Sequence, residues 1–177
     1  MTELSRIADM AEILGAIIVI GGLFFAVLQM RQIRQQRREL AAIELFRFFG
    51  NPNFAEAYQT ILHMPDGVSA VDMRSEHNDL EDAAMLIGTT MENIGVMTFQ
   101  RIVPFVVVNN LIGTSAPVLW RKLEIYAKDL REELGEDTAF EWFQWLAERL
   151  EQYNTDGTNP AYRAHSDWLP LHQRQEL

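Results

Sequence analysis

The sequence predicts an all-α protein, in which an N-terminal transmembrane helix continues into a helical bundle of about five helices. Three observations predict it. Residues 13–30 form an apolar run closed by a single polar side chain, Gln29, and most of the remaining apolar positions recur at helical spacing. The one run rich in β-branched residues, 102–108, has no second run to pair with, so it cannot build a sheet. The organisation read from this is an N-terminal segment with the span (1–30), a basic juxtamembrane stalk (31–50), a helical domain (51–153) and a polar tail (154–177).

The run 13–30 reads I-L-G-A-I-I-V-I-G-G-L-F-F-A-V-L-Q-M. At about 1.5 Å per residue it covers roughly 27 Å, close to a hydrocarbon core of about 30 Å. Glu3, Arg6, Asp9 and Glu12 precede it, unlike the basic start of a cleaved signal peptide. Orientation follows from the flanking arginines. Arg6 lies before the run, and Arg31, Arg34, Arg37 and Arg38 follow it, so the N-terminus is expected outside and the domain on the cytoplasmic side of a bacterial inner membrane. Arg31, Arg34 and Arg38 share one helical face at headgroup height, where contact with anionic lipid is expected. Gly15, Gly22 and Ala26 share another face, on which a second helix can approach closely.

No Pro or Gly interrupts residues 23–49, so the span is expected to run unbroken into the domain until Gly50-Asn51-Pro52-Asn53 stops it. Asn53 is expected to cap a helix from about 54 to 63, closed by Met64-Pro65-Asp66-Gly67. A central helix is expected from 78 or 79 to about Arg101, with Asp79, Glu81 and Asp82 complementing its dipole. Pro104 suits the first turn of a short buried helix to about Ile112. Thr114 or Ser115 caps a helix from about 116 to 134, ended by Gly135. The last helix is expected from Asp137 or Thr138 to about Tyr153. Its aromatics cover more than one face, so Trp142 and Trp145 become candidates for a partner surface. In the tail, Tyr162, Trp168 and Leu169 are available to pin the chain to the bundle.

Composition narrows the function classes. Apolar residues make up 48 % of the chain and charged residues 23 %, which supports a folded core. The 25 acidic against 15 basic residues leave a net charge of −10, the wrong sign for a protein that neutralises nucleic-acid phosphates. There is no cysteine, hence no disulfide and no thiolate chemistry. The four histidines, His63, His77, His165 and His172, form no i, i+4 pair, and no metal-ligand, nucleophile-elbow or phosphate-loop motif occurs. No catalytic residue, metal site or cofactor is therefore expected. The sharpest chemical candidate is Glu92, among apolar neighbours in the central helix, with Arg101 or Arg121 as partner. Together with Arg101 and Trp120 it defines a candidate inter-helix pocket.

With its residues laid out, the chain resembles a bacterial family of membrane-anchored helical proteins, a domain of unknown function. The matching pieces are Leu28-Gln29-Met30-Arg31-Gln32, the central helix around Gly95, and Phe143-Gln144-Trp145-Leu146-Ala147. The resemblance implies a helical, membrane-anchored fold and supplies no activity. The expected function is that of a non-catalytic interaction protein, either a homo-oligomer or an accessory subunit of a larger membrane complex. Its expected partners are the lipid bilayer and itself or another membrane protein. The alternative is a membrane-tethered ligand sensor or enzyme using the pocket at Glu92.

Overall fold

The computed structural model describes residues 15, 18–32, 43, 45, 47–76, 78–155 and 159–169. These residues contain helices and no strand. The described part of the apolar run, 18–32, is helical and exposed throughout. Among the described residues no helix is long and apolar enough to cross a membrane. The stalk residues 33–42, and with them Arg34 and Arg38, lie outside the described residues.

The domain is built from α1 (Pro52–His63), α2 (Ala70–Glu76), α3 (Asn78–Phe99), α4 (Phe105–Ile112), α5 (Ser115–Leu134), α6 (Glu141–Thr155) and a short α7 (Ala161–Ala164). At about 1.5 Å per residue the 22-residue α3 is roughly 33 Å long, and α1, α2, α5 and α6 pack around it. The β-branched run is helical, as expected from its lack of a partner strand.

The core collects Ile87, Met91 and Ile94 of α3, Ile61 of α1, Leu119, Leu123 and Tyr126 of α5, and Phe143, Leu146 and Leu150 of α6. Leu45, ahead of α1, is buried with them. Each such side chain contributes about 1.5–3 kcal/mol by leaving water. Trp120 meets Phe143 edge-on at 5.2 Å between ring centroids. Of the methionines expected as core filler, Met91 is buried, Met97 half-buried and Met85 exposed.

Several boundaries differ from expectation. Asn51, and not Asn53, caps α1 by accepting the Asn53 N–H at 2.9 Å, with Pro52 in the first turn where a missing N–H is harmless. Helix α2 was not expected at all. Its start carries a local cap, Ser69 Oγ accepting the Asp72 N–H at 3.1 Å and donating to the Asp72 carboxylate at 2.6 Å, and a tertiary one, the Asp129 carboxylate of α5 accepting the Ala70 N–H at 2.8 Å from 59 residues away. Helix α6 begins at Glu141, later than Asp137 or Thr138, because Phe140 takes a left-handed conformation at φ 53° and breaks the helical path. Tyr162 and Trp168 are exposed and do not pin the tail.

Helix α5 also ties the loops. Lys122 donates to the Met64 carbonyl, the terminal cap of α1, and pairs with Asp66 at 2.7 Å. Arg74 of α2 holds Glu133 of α5 through two hydrogen bonds at 2.8 and 2.9 Å and reaches Glu81 of α3 at 2.8 Å. That cluster closes the bundle at the N-terminal end of α3.

Candidate functional site

Glu92 is used as a helix cap contributed by a neighbouring helix. Its carboxylate accepts the Phe143 N–H at 2.7 Å, in the first turn of α6, where N–H groups lack partners within their own helix. Burial raises the carboxyl above its ordinary value, against the N–H groups of Phe143 and Trp142, which lower it. One turn to either side of Glu92, α3 carries a glycine. A Cβ at Gly88 would meet the Phe140 ring at 2.3 Å, and one at Gly95 would meet the Trp142 carbonyl oxygen at 2.3 Å. Gly88, Glu92 and Gly95, spaced four and three, therefore form the seat on which α6 starts. Arg131 fastens the approach from the other side, donating to the Ala139 carbonyl and to Gln144, both at 2.9 Å.

The expected pocket of Glu92, Arg101 and Trp120 is divided among different roles. Glu92 caps α6. Trp120 is buried against Phe143 and has the Arg131 guanidinium 6.0 Å from its ring centre. The structure thus connects Glu92 and Trp120 through Phe143. Arg101 lies beyond the end of α3, nine residues from Glu92. It occupies the left-handed position of a helix-ending motif at φ 58°: its N–H donates to the Thr98 carbonyl at 3.0 Å, and the Ile102 N–H donates to the Met97 carbonyl at 2.9 Å. Glycine is usual at this position, and a non-glycine residue there costs on the order of 1 kcal/mol.

Trp142 and Trp145, expected as a partner surface, do gather into a surface cluster. Their ring centroids are 6.1 Å apart, and Phe99 lies 4.6 Å from Trp142 and 5.8 Å from Trp145. Both tryptophans are half-buried, while Phe99, Ile102 and Val106 are exposed. A cleft of 330 Å³ runs beside them between Phe99, Trp145, Arg101 and Phe105, and Phe105 continues the aromatic row to Tyr153 at 5.4 Å. The apolar positions of α6 are thus shared between two faces. Phe143, Leu146 and Leu150 enter the core, and Trp142, Trp145 and Tyr153 face outward.

Phe99 and Ile102 escaped sequence reasoning as surface residues because the helical period of α3 assigns Phe99 to its apolar stripe, and only the turn at Arg101 decides what covers it. A signal was present, however. Residues 93–123 contain no Asp or Glu in a chain with 25 of them.

Along the apolar run, Arg31 is exposed, and a Cβ at Gly15 or Gly22 would meet nothing within 4 Å. Ala26, on the same stripe, is also exposed. Among the described residues no group of three or more His, Asp or Glu is placed to hold a metal ion.

Residues 16–150 match DUF4760, a domain of unknown function. The chain belongs to the DUF4760 family. No curated protein matches it, and no solved structure does. The DUF4760 match takes in the apolar helical segment, the Gly88–Glu92–Gly95 seat and the Trp142–Trp145 cluster, and stops at Leu150 within α6. The expectation of a family without an assigned activity agrees with this match. The DUF4760 domain supplies no chemistry to carry over to Glu92 or to any other residue.

Proposed function

We propose that this protein is a membrane-anchored, non-catalytic interaction protein. The apolar run 13–30 is its anchor, with the helical domain on the cytoplasmic side of a bacterial inner membrane. It assembles with itself or serves a larger membrane complex as an accessory subunit. The observation that carries the reading is the surface of the helical segment 18–32. Ile18 is 66 % exposed, Phe24 67 % and Phe25 63 %, with Val19, Ile20 and Leu23 alongside them. A continuous apolar surface of this kind calls for lipid or another helix around it. The open space at Gly15 and Gly22 suits close helix approach, and Arg31 follows the run at the expected headgroup level.

A ligand sensor or enzyme centred on Glu92 is the weaker reading, because that carboxylate is occupied by the first turn of α6. Native mass spectrometry of the full chain, mildly extracted from its own membranes, tests the proposal. A mass at a whole-number multiple of 20.4 kDa, or reproducible additional subunits, is the expected result. A homo-oligomer that dissociates in the double variant Gly15→Leu, Gly22→Leu would assign the contact to the glycine stripe. A monomer carrying a bound small molecule would sink the interaction reading.

A further inference from the structure

We propose that the cleft between the end of α1, α2 and the start of α3 binds an organic ammonium ion. The ligand is a small primary amine whose charged head meets Thr60, His63 and Asp72 and whose apolar body lies on Met64, Val68 and Leu80. The inference goes beyond the assembly reading above and needs no partner chain, so an oligomer can carry such a ligand. All six residues line one cleft of about 480 Å³. That volume is within the range of small-ligand sites, roughly 300–1,000 Å³. Met64 is buried and Val68 and Leu80 are half-buried, which gives the cleft an apolar floor.

What selects a cation is where the protons are. Thr60 Oγ1 donates to the Glu56 carbonyl at 3.0 Å, so its hydroxyl hydrogen is spent and its lone pairs remain. His63 Nδ1 lies 2.7 Å from the Gln59 carbonyl oxygen, which can only accept. The ring proton of neutral His63 therefore sits on Nδ1, and Nε2 across the ring offers a lone pair. Asp72 takes the Ser69 hydroxyl on Oδ2 at 2.6 Å, which leaves Oδ1 without a proton donor among the described residues. The polar side chains lining the cleft are thus all acceptors, and Thr60 and His63, three residues apart on α1, lie side by side. Three acceptors suit an ammonium group, which carries three N–H donors and no acceptor. A carboxylate would find no side-chain donor among them.

Charge favours the same ligand. Residues 51–82 carry seven acidic residues and one arginine, Arg74, whose guanidinium is taken by Glu81 and Glu133. The adjoining groove shares Thr60 and continues to Glu56, Asp79 and Asp82, so the approach to the cleft is anionic. His63 stands in the last turn of α1, where the negative end of the helix dipole favours a cation. The chain itself already places an ammonium group at this helix end. Lys122 Nζ donates to the Met64 carbonyl, and Asp66 at 2.7 Å matches its charge.

Met64 supplies a reporter inside the cleft. The full chain, isotopically labelled at its methionine methyl groups and held in an uncharged detergent, would be titrated with n-butylammonium at pH 7 and followed by NMR, with the Met64 signal assigned through Met64→Leu. The expected result is a saturable shift of the Met64 signal in the millimolar range, as suits so small a ligand. The Met97 signal, near the other end of α3, should stay in place. Neither n-butanol nor butyrate should give a saturable shift. Asp72→Asn should weaken binding about tenfold through loss of a charge-assisted contact. Thr60→Val, which leaves the Ser69–Asp72 cap of α2 intact, should weaken it several-fold, with circular dichroism confirming that each variant is folded. The absence of a saturable shift at Met64 would overturn the proposal. So would an equal response to n-butanol, which would show an apolar cleft indifferent to charge, or a saturable response to butyrate. Binding that survives both substitutions in folded protein would overturn the assignment to Thr60 and Asp72.

Discussion

Glu92 of α3 accepts the backbone N–H of Phe143 in α6 at 2.7 Å across 51 residues of sequence, so the start of one helix is completed by the middle of another. Phe140, just ahead of α6, is left-handed, and its ring fills the space over Gly88. The first turn of α6 therefore depends on tertiary packing for its cap, and this dependence can be measured.

Glu92→Ala should destabilise the domain by about 1–2 kcal/mol in urea unfolding at pH 7, the typical effect of losing a helix cap. Glu92→Gln should cost less, since its amide oxygen still accepts the N–H and no charge is desolvated. The sign of the pH effect follows from the raised folded value. The protonation-linked part of its contribution, separate from the cap hydrogen bond, is fully present below the ordinary value of 4.5 and is lost as pH rises through the higher folded value. Glu92→Gln should remove that part of the pH dependence. An equal loss in Ala and Gln would contradict the cap.

Gly95→Ala should destabilise the protein by about 1–3 kcal/mol, even though alanine gains about 1 kcal/mol over glycine in helix propensity. The new methyl group would strike the Trp142 carbonyl, a backbone atom that cannot swing aside. A rise in the thermal midpoint would show that α3 and α6 do not approach this closely.

Acid stability should depend on Arg74. Its hydrogen bonds hold the Glu133 carboxyl below its ordinary value of 4.5. That stabilisation is present above 4.5 and disappears as pH falls through the lowered folded value. Arg74→Ala should therefore lower stability at pH 7 and flatten the decline on acidification, read as the denaturation midpoint against pH. An unchanged acid limb would remove Arg74 from the account.

Alkaline titration should separate the tyrosines. Burial pushes the Tyr126 hydroxyl up to about 12 from an ordinary 10.0, with Glu81 adding to the effect. Ultraviolet absorbance at high pH should show one of the four tyrosines ionising late, and Tyr126→Phe should abolish that late phase. The stability linked to this group is present below 10.0 and lost as pH rises toward 12.

The sequence alone specified the all-helical class, because its apolar residues recur at helical spacing and its one β-branched run has no partner. It also placed α3 and α5 nearly to the residue, since an acidic first turn marks the start of one and Gly135 the end of the other. It singled out Glu92, Trp142 and Trp145, and the tertiary structure decided their roles. Glu92 became a cap because Gly95 admits the backbone of α6 and Gly88 admits the Phe140 ring just ahead of it. The two tryptophans became a surface because the turn at Arg101 leaves Phe99 uncovered beside them. Helix α2 starts on a Ser69–Asp72 cap that was legible in the sequence, and a carboxylate 59 residues distant completes it. Periodicity records which side of a helix is apolar. Caps, close approaches and surface clusters depend on which helices meet, and that is set by packing between segments far apart in the chain.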